Sequence, residues 1–190
     1  MPALSHVTKL FSIQDCKITP LTADPVGGTA TYAAQSIDVP GIQVLTVSGS
    51  IQSKTLRGDN KLLDTESFID GVTASAEHAR LSLDALAAIL GGTVTDSGTT
   101  PAQKATWGLT GANAVLPYFK VEGVTPPNGS DFIGGDVHVV LYKCQLSKFP
   151  DLGFQGDDYR ITKFEVSSVP LASTDKWMDY VINETAIPIP

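Results

Sequence analysis

Several short stretches carry residue types able to do chemistry. Asp96-Ser97-Gly98-Thr99-Thr100 has the Asp-Ser/Thr-Gly-Ser/Thr pattern of aspartic proteases. That chemistry needs two aspartates sharing one proton to activate water. A second copy is missing, so a dimer would be required, and the following Pro101-Ala102-Gln103-Lys104 is polar where a supporting apolar strand belongs. An ordinary turn after a strand is the reading these residue types favour. Arg57-Gly58-Asp59 matches a cell-adhesion tripeptide. So short a motif recurs by chance, and an exposed loop is expected, with Gly58 at a tight turn and the charges paired locally or across an interface.

Metal and nucleotide chemistry fare no better. His6, His78 and His138 are isolated, and Glu77 beside His78 would point to the opposite face of a strand. No metal site and no cofactor are expected. Gly91-Gly92 lacks phosphate-loop spacing, no Gly-x-Ser-x-Gly elbow occurs, and Asp157-Asp158 reads as a solvated turn. Cys16 and Cys144 read as half-buried free thiols of a reducing compartment. Trp107, Trp177, Tyr118, Phe119, Phe132 and Phe149 are expected in the core or at an interface, since no basic groove accompanies them.

The elements that would position these residues are mostly strands. Early strands are expected over 7–19 and 30–39, the latter stopped by Pro40-Gly41. Ile42 to Ser53 alternates with period two and slips near Gly49, which predicts a bulge. Residues 53–67 are polar and charged apart from Leu56, Leu62 and Leu63, and read as a long loop reaching toward a partner. Phe68 to Leu81 reads as a strand with neither face strongly apolar. One helix is expected over 82–90, capped by Ser82, with Leu83, Leu86, Ala87 and Leu90 as its stripe and Gly91-Gly92 as its stop. Further strands are expected over 93–95, 105–110, 116–124, 136–149 and 177–182, and over 159–169, paired with 136–149 across the turn 151–156. The last residues, Ala186-Ile187-Pro188-Ile189-Pro190, must be extended.

Composition bounds the function. The chain of 190 residues fits one domain spanning 1–190, with arms at about 1–6 and 184–190. At 42% hydrophobic and 17% charged residues it can bury a core, and scattered Gly and Pro suit many turns. A net charge of −7 argues against gripping nucleic acid and suits a surface that DNA slides past. No secretory signal and no membrane span are expected. The fold class is therefore mainly β: an antiparallel sandwich or barrel with one short helix, a long inter-strand loop and extended termini. This order of elements argues for a building block and against an enzyme.

Together, Val39-Pro40-Gly41-Ile42, the loop Ser53-Lys54-Thr55-Leu56-Arg57-Gly58-Asp59-Asn60, the segment Gly71 to Gly92 and the run Trp177 to Glu184 resemble the major tail tube proteins of long-tailed bacteriophages. The resemblance implies hexameric rings that stack into a hollow tube, each subunit lending strands to an inner barrel with the helix outside it. It implies a virion tail component, assembled in the bacterial host cytoplasm, whose lumen passes DNA without specific binding. Its partners would be copies of itself, the tape measure, the terminator and the distal tail protein. Lys54, Leu56, Arg57, Gly58, Asp59, Asn60, Leu62 and Leu63 would make contacts between rings or subunits. Rival readings are a tail terminator or contractile-system tube protein, which share the fold, and a carbohydrate-binding or adhesion β-sandwich, which would need an exposed aromatic cluster.

Overall fold

The computed structural model describes residues 4–113, 115–154 and 156–190. Residues 1–3 of the expected N-terminal arm and Gln155 of the expected turn 151–156 lie outside them. In chain order the elements are β1 (Asp15–Ala23), β2 (Thr31–Tyr32), β3 (Ile37–Asp38), β4 (Ile42–Gly58), β5 (Lys61–His78), α1 (Leu83–Leu90), β6 (Thr93–Ser97), β7 (Lys104–Gly108), β8 (Phe119–Val124), β9 (Asp136–Lys148), β10 (Thr162–Ser168) and β11 (Met178–Asn183). The fold is mainly β and antiparallel with a single short α-helix, as the sequence predicts.

The main sheet has the order β2-β1-β8-β9-β10-β5-β4. β3 also pairs with β1, and β11 with β9, while β6 and β7 form a separate two-stranded sheet. One face of the main sheet carries the core. Cys16 and Ile18 of β1, Phe119 and Val121 of β8, Leu141 of β9, Phe164 and Val166 of β10, and Ala74 and Ala76 of β5 are all buried on it. The sheet curls so that β4 comes over β8. There Leu45 sits against Gly123, where an added Cβ would stand only 2.3 Å from the Leu45 Cδ2. Glycine permits that close approach.

The helix closes the same core. The Ser82 hydroxyl accepts from the Ala85 amide at 3.2 Å, capping the first turn. Gly91, at φ +77°, ends it, and its amide returns to the Ala87 carbonyl at 2.9 Å. Leu86, Ala88, Ile89 and Leu90 are buried, together with Ala85. Two of the expected stripe positions, Leu83 and Ala87, are only half-buried. The face turned inward is therefore shifted toward Ala88 and Ile89.

Other boundaries differ from expectation for identifiable reasons. The first strand starts at Asp15, not Val7. Val7 and Leu10 stand three apart, which is not strand spacing, and both are exposed. Residues 8–14 instead run beside the 124–131 connection, through Phe11 N–H to the Gly129 carbonyl and Gln14 N–H to the Val124 carbonyl, both at 2.9 Å. The expected strand 30–39 is reduced to the short pieces β2 and β3. β10 pairs with β9 as predicted. Among the aromatics, Phe119 is core, Trp107 and Trp177 pack against the core, and Phe149 is exposed. Both cysteines are fully buried rather than half-buried. Burial first, then the nearby Asp15, Asp38 and Glu122, pushes the Cys16 thiol up to about 12, so it stays protonated and unreactive.

Candidate functional site

The largest correction concerns residues 53–67, which are not a loop. β4 and β5 run unbroken through them as one antiparallel hairpin of 17 and 18 residues. Its turn is Asp59-Asn60, with φ +50° and +60°. Two consecutive left-handed residues make a type I′ connection, whose twist matches that of the flanking strands, and Asp and Asn tolerate it best after glycine. The tight turn is thus at Asp59-Asn60 and not at Gly58. Leu45 and Val47 on β4, with Val72, Ala74 and Ala76 on β5, hold the near half against the core. The ladder shifts register at Ser50/Ile51, the irregularity expected near Gly49, with Asp70 as the extra residue.

Beyond that bulge the ribbon leaves the sheet. β10 stops covering β5 at Val72, so, among the described residues, 50–70 have no third strand. At about 3.3 Å per residue the ribbon reaches roughly 30 Å past the body. It is exposed along its length and carries Ile51 (70% exposed), Leu56 (62%), Leu62 (57%), Leu63 (62%), Phe68 (41%) and Ile69 (63%). Ile51 opposes Ile69, and Ser53 opposes Ser67 with their hydroxyls 2.7 Å apart. On the other face Lys54 opposes Glu66 and lies 5.7 Å from the centre of the Phe68 ring. A second register shift at Leu56/Arg57 leaves Leu63 as the extra residue beside the turn. All the residues singled out in sequence, from Lys54 to Leu63, fall in this projecting part. Ile51, Phe68 and Ile69 join them beyond the sequence expectation, and their apolar types beside a polar run are the sequence signal for it.

A second cluster lies on the opposite face of the main sheet. His138 sits between two carboxylates: Nδ1 is 2.9 Å from Glu122 Oε1, and Nε2 is 3.3 Å from Asp136 Oδ2. Lys120 donates to the other Glu122 oxygen at 2.8 Å, and Asn183 donates to Asp136 Oδ1 at 2.8 Å. All three central groups are nearly fully buried. Burial alone would raise the Glu122 pKa, but hydrogen bonds from Lys120 and His138 hold it below the ordinary value. His138, isolated in the sequence, has two acidic partners in the fold. Asp136 and His138 are two apart on one strand and so share a face, and this spacing was the missed clue. Among the described residues no group of His, Cys, Asp and Glu is arranged to hold a metal.

The remaining sequence candidates stay apart from both clusters. Asp96 is exposed near the end of β6, and the turn after it uses Gly98 at φ +85°, where a Cβ would stand 2.3 Å from the Ala102 carbonyl. The glycine of that motif is thus explained by the turn. His78 is buried, its Nδ1 2.6 Å from the Arg80 carbonyl. No family model and no curated protein matches the chain. No helix among the described residues is long and apolar enough to cross a membrane.

Proposed function

We propose that this chain is a structural subunit that polymerises with copies of itself, on the plan of the phage tail tube: hexameric rings stacked around a hollow lumen through which DNA passes. In this reading it works in the virion tail, after assembly in the host cytoplasm. It is not an enzyme, and its other partners are the tape measure, terminator and distal tail proteins.

One observation carries the reading: the projecting ribbon over residues 50–70 is apolar at intervals on both faces and is exposed on both among the described residues. A lone two-stranded ribbon is marginal in water. β4 also ends the sheet, so its outer backbone edge has no partner strand among the described residues. Such an edge templates pairing with another chain, and closure of strands across subunits removes the hazard. The acidic charge of −7 suits a channel along which a polyanion slides without sticking.

Sedimentation over a rising protein concentration, with negative-stain electron microscopy of the top sample, tests the proposal. The expected result is rings or tubes about one ring wide that grow with concentration. Rings that never stack would favour a terminator. A monomer at every concentration would overturn self-assembly altogether.

A further inference from the structure

The residues after β11 are extended, as read from their prolines, but they do not project. They fold back along the outer face of β1, β8 and β9, over the His138 cluster. The Ala186 amide donates to the Gly134 carbonyl at 2.8 Å, and the Ile187 amide to Asp136 Oδ2 at 2.8 Å. The Ile187 carbonyl accepts from His138 Nε2 at 2.9 Å, and the Ile189 carbonyl accepts from Lys17 Nζ at 2.6 Å. Ile189 is 3% exposed while Ile187 is 55% exposed, so one side chain is the anchor.

We propose that this face is a peptide-binding groove and that Ala186–Pro190 is its separable ligand, a strap of the class Ala-Ile-Pro-Ile-Pro. The manner of holding is the argument. A further strand would be fixed by a main-chain ladder, but Pro188 and Pro190 have no amide to give one. The strap is instead gripped by polar side chains that are themselves buried and held from behind: Asp136 by Asn183, and His138 by Glu122, which Lys120 in turn secures. Each His138 ring nitrogen faces only acceptors, Glu122 on one side and Asp136 with the Ile187 carbonyl on the other. Proline-spaced segments lose little entropy on docking because they are already extended. These are the features of a receptor site with a short anchor, and the inference does not depend on polymerisation.

The test uses the full chain as Ile189→Asp, with a synthetic peptide of residues 185–190 as probe, at a concentration where the protein is monomeric. In the variant the Ile187 amide should lose its protection from hydrogen exchange. The wild-type peptide should then bind, shift the His138 ring resonances and raise the melting temperature, while a peptide carrying Asp at the anchor should not. The unaltered chain should bind the same peptide at least ~10-fold more weakly, because its own strap competes at millimolar effective concentration. Undiminished protection in the variant, no peptide binding, or equal binding to both chains would overturn the proposal. So would a variant that no longer folds, since the segment would then be an integral part of the body.

Discussion

The near and far halves of the β4–β5 hairpin are built from the same two strands and obey opposite rules. In the near half, Leu45 and Val47 face Ala76 and Ala74 across the ladder, β10 covers β5, and the core lies beneath. In the far half the ladder continues with similar regularity, yet Ile51 and Ile69 face each other in water. Backbone pairing alone therefore does not separate the two halves; cover does. Hydrogen-bonded strands contribute little net stability unless one face is removed from water. The near half is folded by its own chain. The far half is a surface whose apolar content has no internal purpose.

The sharpest way to break this contrast is to place the same charge in each half. Ala76 is fully buried between Leu45 and Phe164. Ala76→Asp would bury a carboxylate without a partner, and a loss of about 3–5 kcal/mol is expected, enough to unfold many domains. Ile69→Asp should change monomer stability by less than about 0.5 kcal/mol, because the site is already wet. Urea denaturation of the two variants measures the difference. Under the assembly proposal Ile69→Asp should nonetheless abolish polymers in sedimentation. Intact polymers in that variant would detach the ribbon from assembly.

A second contrast is electrostatic, and its expected effect is smaller. Asp24 in the body is held by fixed partners, whereas the ribbon's Lys54 and Glu66 are exposed. Asp24 accepts from Lys143 at 2.8 Å and from the amides of Ala172 and Ser173 at 2.8 and 3.1 Å. Desolvation works against its charge, but these bonds prevail and lower its pKa to about 2. A carboxylate with a depressed folded value adds stability above its ordinary range and loses it as pH falls toward the folded value. Stability should thus decline between about pH 4 and pH 2. Asp24→Asn should weaken the fold by roughly 1–3 kcal/mol at pH 7 and flatten that part of the curve. Denaturant midpoints over pH 2–7 provide the comparison, and an equally steep curve in the variant would remove Asp24 from the account.

The near half was the legible half. The Ser82 cap and the Gly91 stop express local chemistry, and each appears where the sequence puts it. The strand from Ile42 appears too, although a register shift between Ile42 and Val44 breaks its period of two, so that Ile42 packs on the core with Leu45 and Val47 while Val44 is exposed. The ribbon was hidden because a strand without a buried face has no alternation to detect. Lys54, Arg57, Asp59, Asn60 and Glu66 read as loop composition even though they lie on or between paired strands. The His138 cluster was hidden differently. Glu122 and His138 are distant in sequence and meet only through the β8–β9 pairing, while the segment over them arrives from after β11. Asp136-x-His138 alone could have been seen.

Asp59-Asn60 carries the turn of the ribbon, and it allows the mildest test. Both residues are left-handed, and glycine at the second position removes the steric cost that asparagine still bears. Asn60→Gly should stabilise the ribbon by a few tenths to about 1 kcal/mol, whereas Asn60→Val should weaken it by about 1–2 kcal/mol. Neither should move the global denaturation midpoint, because the bulge at Asp70 separates the ribbon from the covered sheet. Hydrogen exchange of amides between Ile51 and Ile69 is the measure: protection should rise in the glycine variant and fall in the valine variant, with β8 and β9 unchanged. If the β8 and β9 amides moved together with the ribbon, the two halves would form one cooperative unit, and the distinction drawn between covered and uncovered strands would fail.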